Sequence, residues 1–221
     1  RSLICQRPFR APHHTISLVA LAGGGAWPKP GEISLAHGGV LFLDEFPEFH
    51  RDVLEAMRGP LEDGQITISR AKMQLSYPAR VMLVTAMNPC PCGYLSDPRR
   101  SCRSALAQIQ KYQAKISGPI LDRMDLHVEV PAVRYADITR KEDAESSEVV
   151  RARVIGAREV QYQRFKKRGR INAHMLSRGI KAHCALDEAC QEFLKAAMNE
   201  MNFSARAYDR ILKVARTIAD L

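Results

Sequence analysis

Hydrophobic positions follow two regimes along the 221 residues. Up to Pro131, short apolar or alternating runs are mixed with helix-period stripes. Beyond it only helix-period stripes remain. Val40-Leu41-Phe42-Leu43, running into Asp44, is apolar on both faces, which predicts a central strand in a sheet covered on both sides. Arg80 to Ala86 is a second β-rich apolar run. Between them, residues 50–62 put Val53, Leu54, Met57 and Leu61 on one helical face, with Arg51, Asp52, Glu55 and Arg58 opposite. Two buried strands separated by a helix read as a parallel pair of βαβ type. Gln65–Ser69 and Gln74–Tyr77 alternate, joined by Arg70-Ala71-Lys72-Met73. That pattern predicts a hairpin with a basic, partly apolar tip.

Smaller elements fill the remainder. A short helix is expected from Ser17 to Ala22, then a mobile loop at Gly23-Gly24-Gly25, a turn at Trp27–Gly31 and a helical turn over Glu32–His37. A helix over Ala105–Gln113 and a strand over Leu126–Val130 complete an α/β part, residues 1–131. Residues 132–221 predict a small all-helical part, with helices near 136–167, 187–201 and 204–220. In the second of these, Leu186, Cys190, Phe193, Leu194, Ala197 and Met201 share a stripe. In the third, Ser204 is placed to cap, Ile211, Ala215 and Ile218 face a core, and Arg206, Arg210 and Lys213 occupy another face.

Composition narrows the class. The chain is 46% hydrophobic and 26% charged, enough for a packed core and unlike a disordered segment. No segment approaches the roughly 20 apolar residues of a membrane span. The start at Arg1 has neither Met nor a secretory h-region and reads as the middle of a longer protein. Six scattered cysteines suit a reducing cytoplasm. The net charge of +9 is uneven: residues 66–123 hold 9 Lys/Arg against 2 Asp/Glu, whereas residues 1–65 hold 6 against 8. A middle third that basic points to a polyanion, nucleic acid or nucleotide phosphate, or to a solubilising face. Aromatics at 6% argue against base stacking as the main grip.

The candidate chemistry begins at Asp44 and Glu45. Carboxyl ends of strands in open α/β sheets are where ligands sit. Paired acids there fit a Walker B element, Asp44 holding Mg²⁺ and Glu45 polarising the water that attacks a γ-phosphate. They fit equally a strand running into a capped helix. Asn88, after the second strand, falls at the same sheet edge, where an amide can hold a water or phosphate oxygen; before Pro89 it is also a turn former. His13-His14 has no third ligand at useful spacing. No G-x-x-x-x-G-K-[ST] occurs anywhere in the chain. Cys90, Cys92 and Cys102 form C-x-C-x₉-C in a loop, open to Zn²⁺ or simply unliganded. Cys5, Cys184 and Cys190 lack partner spacing, and Cys190 reads as core packing. The run Arg164-Phe-Lys-Lys-Arg-Gly-Arg170 reads as a solvated helix end rather than a nucleic-acid contact.

Several longer motifs, in order, make a more specific match: Arg7-Pro-Phe-Arg-Ala-Pro-His-His-Thr, Pro30-Gly-Glu-Ile-Ser-Leu-Ala-His, Gly39-Val-Leu-Phe-Leu-Asp-Glu-Phe, Met87-Asn-Pro-Cys-Pro-Cys-Gly, Ser117-Gly-Pro-Ile-Leu-Asp-Arg-Met-Asp-Leu and Ser204-Ala-Arg-Ala-Tyr-Asp-Arg-Ile-Leu. Together they resemble the AAA+ ATPases, in the magnesium-chelatase-like branch and the ComM (YifB) type of bacterial competence and branch-migration helicases. The resemblance covers essentially the whole chain. It implies a partial AAA+ (P-loop NTPase-like) sheet with a hairpin insert, followed by a helical lid. It implies ATP and Mg²⁺ as cofactors, DNA as partner and a hexameric ring. Asp44 and Glu45 become the Walker B pair and Asn88 the water-orienting sensor 1. Arg123 becomes an arginine finger for the neighbouring subunit. Arg206 becomes sensor 2, with Arg210 a second candidate. The loop Gly23–Pro30 and the hairpin tip become pore-facing inserts, with Arg70 and Lys72 on DNA phosphates.

The resembled proteins carry a Walker A loop upstream, and they often carry a fourth Cys where Ser104 stands, which weakens the zinc reading here. Without the loop's Lys and Ser/Thr, this stretch alone is not expected to hydrolyse ATP. Two alternatives remain: a metal-chelatase motor that remodels a protein partner, and a non-catalytic assembly module supplying Arg123 in trans. Asp122-Arg123 also fits a local ion pair, and Arg206 and Arg210 a solvated face.

Overall fold

A computed structural model describes residues 6–70, 73–95, 97–131, 133, 145–167 and 169–221; for Arg70 the description stops at the backbone. The chain divides into two compact units. The first runs through Met124 and again over Val128–Ala132; the second takes Asp125–His127 and Val133–Leu221.

The first unit is α/β. Its strands are β1 (Phe9–Arg10), β2 (Gly23–Gly24), β3 (Lys29–Pro30), β4 (Val40–Leu43), β5 (Gln65–Arg70), β6 (Met73–Pro78) and β7 (Met82–Thr85). Its helices are α1 (Leu18–Ala22), α2 (Glu32–Leu35), α3 (Arg51–Ala56), α4 (Arg58–Asp63), α5 (Leu106–Gln113) and α6 (Gly118–Leu121). The sheet that matters is β1-β4-β7, all parallel, with β4 in the centre and Leu43 level with Thr85. The short apolar run therefore is the middle strand. Gly39 just before it is obligatory: a side chain there would put its first carbon 1.9 Å from the Pro8 carbonyl oxygen. Leu41 and Leu43 point into a core with Leu21, Ile33, Phe46, Val53, Leu54, Met57, Ile116 and Ile120. The expectation of cover on both faces is corrected. Val40 and Phe42, on the other face, are only half-buried, and their neighbours Phe9, Met82 and Val84 are exposed.

The predicted hairpin is β5-β6, in register from Gln65↔Pro78 to Arg70↔Met73. Ile66 and Ile68 are buried, while Thr67 and Ser76 join hydroxyls at 2.8 Å. Lys72 lies outside the described residues. The Gly23–Pro30 segment is not a plain loop: β2 and β3 pair antiparallel. Tyr77 of β6 donates its hydroxyl to the Pro28 carbonyl at 2.9 Å, tying the two hairpins together. The strand expected over Leu126–Val130 does not form. Its alternating Leu126, Val128 and Val130 are 69%, 80% and 81% exposed, with no strand beside them among the described residues. Alternation supplies a strand's faces but not its partner, and an unpaired strand is not stable in water.

The second unit is helical: α7 (Ser147–Phe165), α8 (Ser177–His183), α9 (Glu188–Glu200) and α10 (Ala205–Ile218). Residues 134–144, where the first of its helices was expected to begin, lie outside the described residues. Ser146, Asp187 and Ser204 cap α7, α9 and α10 through their side-chain oxygens. The core is Met175, Ile180, Leu194 and Leu212, with Phe165, Leu186, Met198 and Ile211 around it. Part of the expected stripes is corrected. Phe193 is 78% exposed, and Met201, Cys190, Ala215 and Ile218 are also exposed. Phe193 and Leu194 are about 100° apart on one helix and cannot share an inward direction; Leu194 and Met198 take it. Cys190 sits in the first turn, its N–H engaged by the Asp187 cap.

Arg164 is a further correction. It is not a solvated helix end but forms a two-pronged pair with Asp220 at 2.5 and 2.6 Å, the side chains 9% and 0% exposed. Asn172 donates to Asp220 at 2.8 Å and accepts from Arg164 at 2.6 Å, and Arg216 adds a further contact to Asp220 at 3.2 Å. Arg164 is held charged above its ordinary range by the Asp220 hydrogen bond, and the Asp220 carboxyl is held low by Arg164.

Candidate functional site

The candidate site is built at the carboxyl edge of the parallel sheet. After Leu43, the Ala86 N–H donates to the Leu43 carbonyl and the Phe46 N–H to the Ala86 carbonyl, both at 3.0 Å. Phe46 and Pro47 are buried in the turn that follows. To drive them inward, the backbone reverses at Glu45, which adopts a left-handed conformation, φ 51° and ψ 43°. That conformation costs a non-glycine residue about 1–2 kcal/mol and recurs at functional sites. The reversal leaves Asp44 and Glu45 exposed side by side. Asp44 Oδ1 accepts the Glu45 N–H at 2.8 Å, which fixes the carboxylate's direction.

Glu45 has a partner that sequence spacing hid. Its Oε2 lies 2.8 Å from His14 Nδ1. His13 packs against His14 with ring centroids 4.1 Å apart and bonds Thr15 through Nδ1 at 3.0 Å. His13, His14 and Glu45 offer ligand atoms within 4.8 Å of one another, so the third member absent from the local spacing arrives from 31 residues beyond His14. The only sequence signal was the basic pair just after β1, a strand adjacent to β4.

Asn88 follows β7 at the same edge and is exposed. Its surroundings are supplied by α5. Tyr112 is buried beside the Asn88 backbone, the pKa of its hydroxyl raised by burial and by the Glu48 carboxylate. Gln113 Nε2 donates to the Pro89 carbonyl at 3.2 Å. Neither Tyr112 nor Gln113 stood out in the sequence. Beyond Pro89, Cys90, Cys92 and Cys102 come together with Sγ separations of 3.4, 3.5 and 3.7 Å. The Cys92 thiol is lowered to about 5, first by the Ser104 side chain and then by the backbone at Tyr94.

Arg123, just past α6, does not pair with Asp122. It forms an ion pair with Glu62 of α4 and donates to the Pro119 carbonyl at 2.6 Å. Its Nε is buried without a hydrogen-bond partner among the described residues. Arg206 and Arg210 stand on the first two turns of α10, in the second unit, Arg206 exposed and Arg210 half-buried. Arg70 ends β5, and Trp27 stands 78% exposed between β2 and β3. No helix among the described residues is long and apolar enough to cross a membrane.

The donors at the edge are exposed carboxylates and an amide, oxygen ligands of the kind Mg²⁺ prefers. They fit the γ-phosphate end of a magnesium nucleotide. A glycine-rich cradle for its remaining phosphates is not encoded in these residues.

Comparison with known proteins supplies the context. Residues 1–138 match the family described as magnesium chelatase, subunit ChlI, and residues 144–221 match its C-terminal family. The chain is 51% identical over 217 residues to the competence protein ComM of Haemophilus influenzae, covering 98% of this chain and 42% of that protein. It is 47% identical over the same length to YifB of Escherichia coli, again 98% and 42%. The chloroplastic magnesium-chelatase subunit ChlI-1 of Arabidopsis thaliana is 25% identical over 122 residues, 55% of this chain and 24% of that subunit. The chain thus spans about four-tenths of the length of the relatives that match it end to end.

Proposed function

Because the chain belongs to the magnesium chelatase ChlI family, we propose that it is the Walker B-to-lid portion of an ATP-driven, ring-forming motor that acts on single-stranded or branched DNA. The observation that carries this reading is the shared sheet edge, where Asp44-Glu45 after β4 and Asn88 after β7 are brought level by the Leu43↔Thr85 pairing. The identity to a competence protein favours DNA over a protein partner, as does the basic middle third of the chain.

In this reading Mg-ATP supplies the phosphoanhydride whose cleavage drives the motor. Asp44 would hold the Mg²⁺, directly or through water, its carboxylate oriented by the Glu45 N–H. Glu45 accepts a proton from the attacking water once its carboxylate leaves His14. Asn88 orients that water, held in place through Tyr112 and Gln113. Arg123 offsets charge on the neighbouring subunit's nucleotide after exchanging Glu62 for phosphate oxygens. Arg206 or Arg210 reports nucleotide from the lid. The β5-β6 tip, with Arg70 and Lys72, and the β2-β3 loop contact the DNA backbone, and the Tyr77–Pro28 bond lets them move together.

The test uses the full-length protein, with ATP hydrolysis and DNA binding measured from low to high salt. DNA-stimulated hydrolysis, with affinity falling steeply as salt rises, is expected. Absence of DNA binding at low salt overturns this reading in favour of a chelatase-type motor, for which the ChlI-1 match is the supporting observation.

A further inference from the structure

We infer that Cys90, Cys92 and Cys102 bind one Zn²⁺ ion, with Ser104 marking the fourth corner of the site. The three sulfurs form a nearly equilateral triangle of 3.4, 3.5 and 3.7 Å. A tetrahedral zinc with bonds of about 2.3 Å holds its thiolates roughly 3.8 Å apart. The triangle is therefore near the size the ion requires, and an ion about 1 Å above its plane reaches all three. Disulfide sulfurs stand at about 2.05 Å, and three thiols cannot all be satisfied by one such bond.

The loop itself calls for a staple. None of the described residues from Pro89 to Ser104 belongs to the hydrophobic core of the first unit, although Cys90 is fully buried. The loop's backbone offers little else: Gly93 bonds to the Cys90 carbonyl at 3.0 Å and Asp97 to that of Tyr94 at 3.3 Å. A segment with a buried thiol and no core is the setting in which structural zinc supplies the missing stability. Charge agrees. Three thiolates around Zn²⁺ leave one negative charge, set in a loop that carries Arg99, Arg100 and Arg103. Cys102 Sγ lies 3.9 Å from the Ser104 carbonyl oxygen, so the residue two past the third ligand already borders the triangle. Water beside Ser104 completes the coordination, and binding displaces the thiol protons to solvent. Cys90 lies two residues past Asn88, so the ion also anchors the segment that leaves the sheet edge.

The experiment measures zinc in the full-length protein purified without chelators, and the absorption of the cobalt-substituted form. One zinc per chain is expected, with a sulfur-to-cobalt charge-transfer band of three-thiolate intensity and a tetrahedral d–d envelope. Cys90→Ser, Cys92→Ser and Cys102→Ser should each lose the ion. Ser104→Cys should raise the cobalt band to four-thiolate intensity and tighten zinc at least about tenfold. This last variant and the wild-type cobalt spectrum keep the test decisive if a Cys→Ser variant fails to fold. Substoichiometric metal with three freely titrating thiols, a disulfide within the cluster, stoichiometric copper or iron in place of zinc, or a Ser104→Cys variant with unchanged affinity would overturn the assignment.

Discussion

His14 Nδ1 is 2.8 Å from Glu45 Oε2, and Glu45 occupies the left-handed region of backbone space. The side chain proposed to polarise water is thus engaged by a residue that precedes it by a helix, a hairpin, a second helix and the central strand. A carboxylate that donates electron density to an imidazole is a weaker acceptor for a water proton. The pairing therefore restrains Glu45 until something withdraws His14.

From this it follows that His14→Ala in the full-length protein raises ATP hydrolysis in the absence of DNA. The pair is partly exposed, so the effect is that of one charge-assisted hydrogen bond, about 1 kcal/mol or roughly fivefold. Glu45→Gln, by contrast, should lower turnover on the order of 10²–10⁴-fold while nucleotide binding persists. Steady-state hydrolysis against nucleotide-binding titrations separates the two. An unchanged basal rate in His14→Ala removes the restraint from the mechanism.

Arg123 is proposed to serve a neighbouring subunit, and mixing makes that measurable. Arg123→Ala and Glu45→Gln proteins should each be inactive, the first losing about 10³–10⁵ in turnover if it behaves as other arginine fingers do. Combined in mixed rings, they should recover part of the activity, because some interfaces pair an intact Glu45 with an intact Arg123. No recovery in rings shown to be mixed would place Arg123 in its own subunit's structure, held by Glu62 and the Pro119 carbonyl.

Trp27 offers a stacking face at the β2-β3 tip. Trp27→Ala should weaken single-stranded DNA binding by about 1–3 kcal/mol with little change in salt dependence. Replacing Arg70 and Lys72 with Ala should instead lower the slope of log affinity against log salt by about 0.7 for each phosphate no longer neutralised. Fluorescence anisotropy over a salt series checks both. Matching effects on slope from the two variants would contradict this division of labour.

The buried Arg164–Asp220 pair makes a stability prediction for the helical unit. Asp220→Ala leaves Arg164 buried without its partner and should cost about 3–5 kcal/mol in denaturant unfolding. Arg164 lowers the carboxyl's pKa in the folded state relative to the unfolded chain. Its contribution is then fully present above an unfolded value near 4, and is lost as pH falls through the lower folded value. An Asp220→Asn variant should show a flatter acid limb between those two values than the wild type.

Much of the architecture could be read from pattern alone. Val40–Leu43 declared a central strand because four consecutive apolar residues have no polar face to offer solvent. The β5-β6 hairpin followed from alternation, and the cap of the last helix from Ser204. Partnership was harder to read. The alternation of Leu126, Val128 and Val130 gave faces without a neighbouring strand, and Phe193 and Leu194 competed for one direction in the helical unit.

The site divides in the same way. Residue order alone determined that Asp44, Glu45 and Asn88 end consecutive apolar runs, because a strand's carboxyl end is fixed by where its hydrophobic pattern stops. It also determined that three cysteines share one loop. Only tertiary structure decided that His14 meets Glu45, that Tyr112 steadies Asn88, that Glu62 takes Arg123, that Asp220 buries Arg164, and that the three thiols converge. Apart from the thiols, each of these is a polar contact between residues distant in sequence, whose geometry is set by how apolar side chains such as Phe46 and Leu212 pack. Hydrophobic periodicity records which way a residue faces, but it carries no information about what waits there.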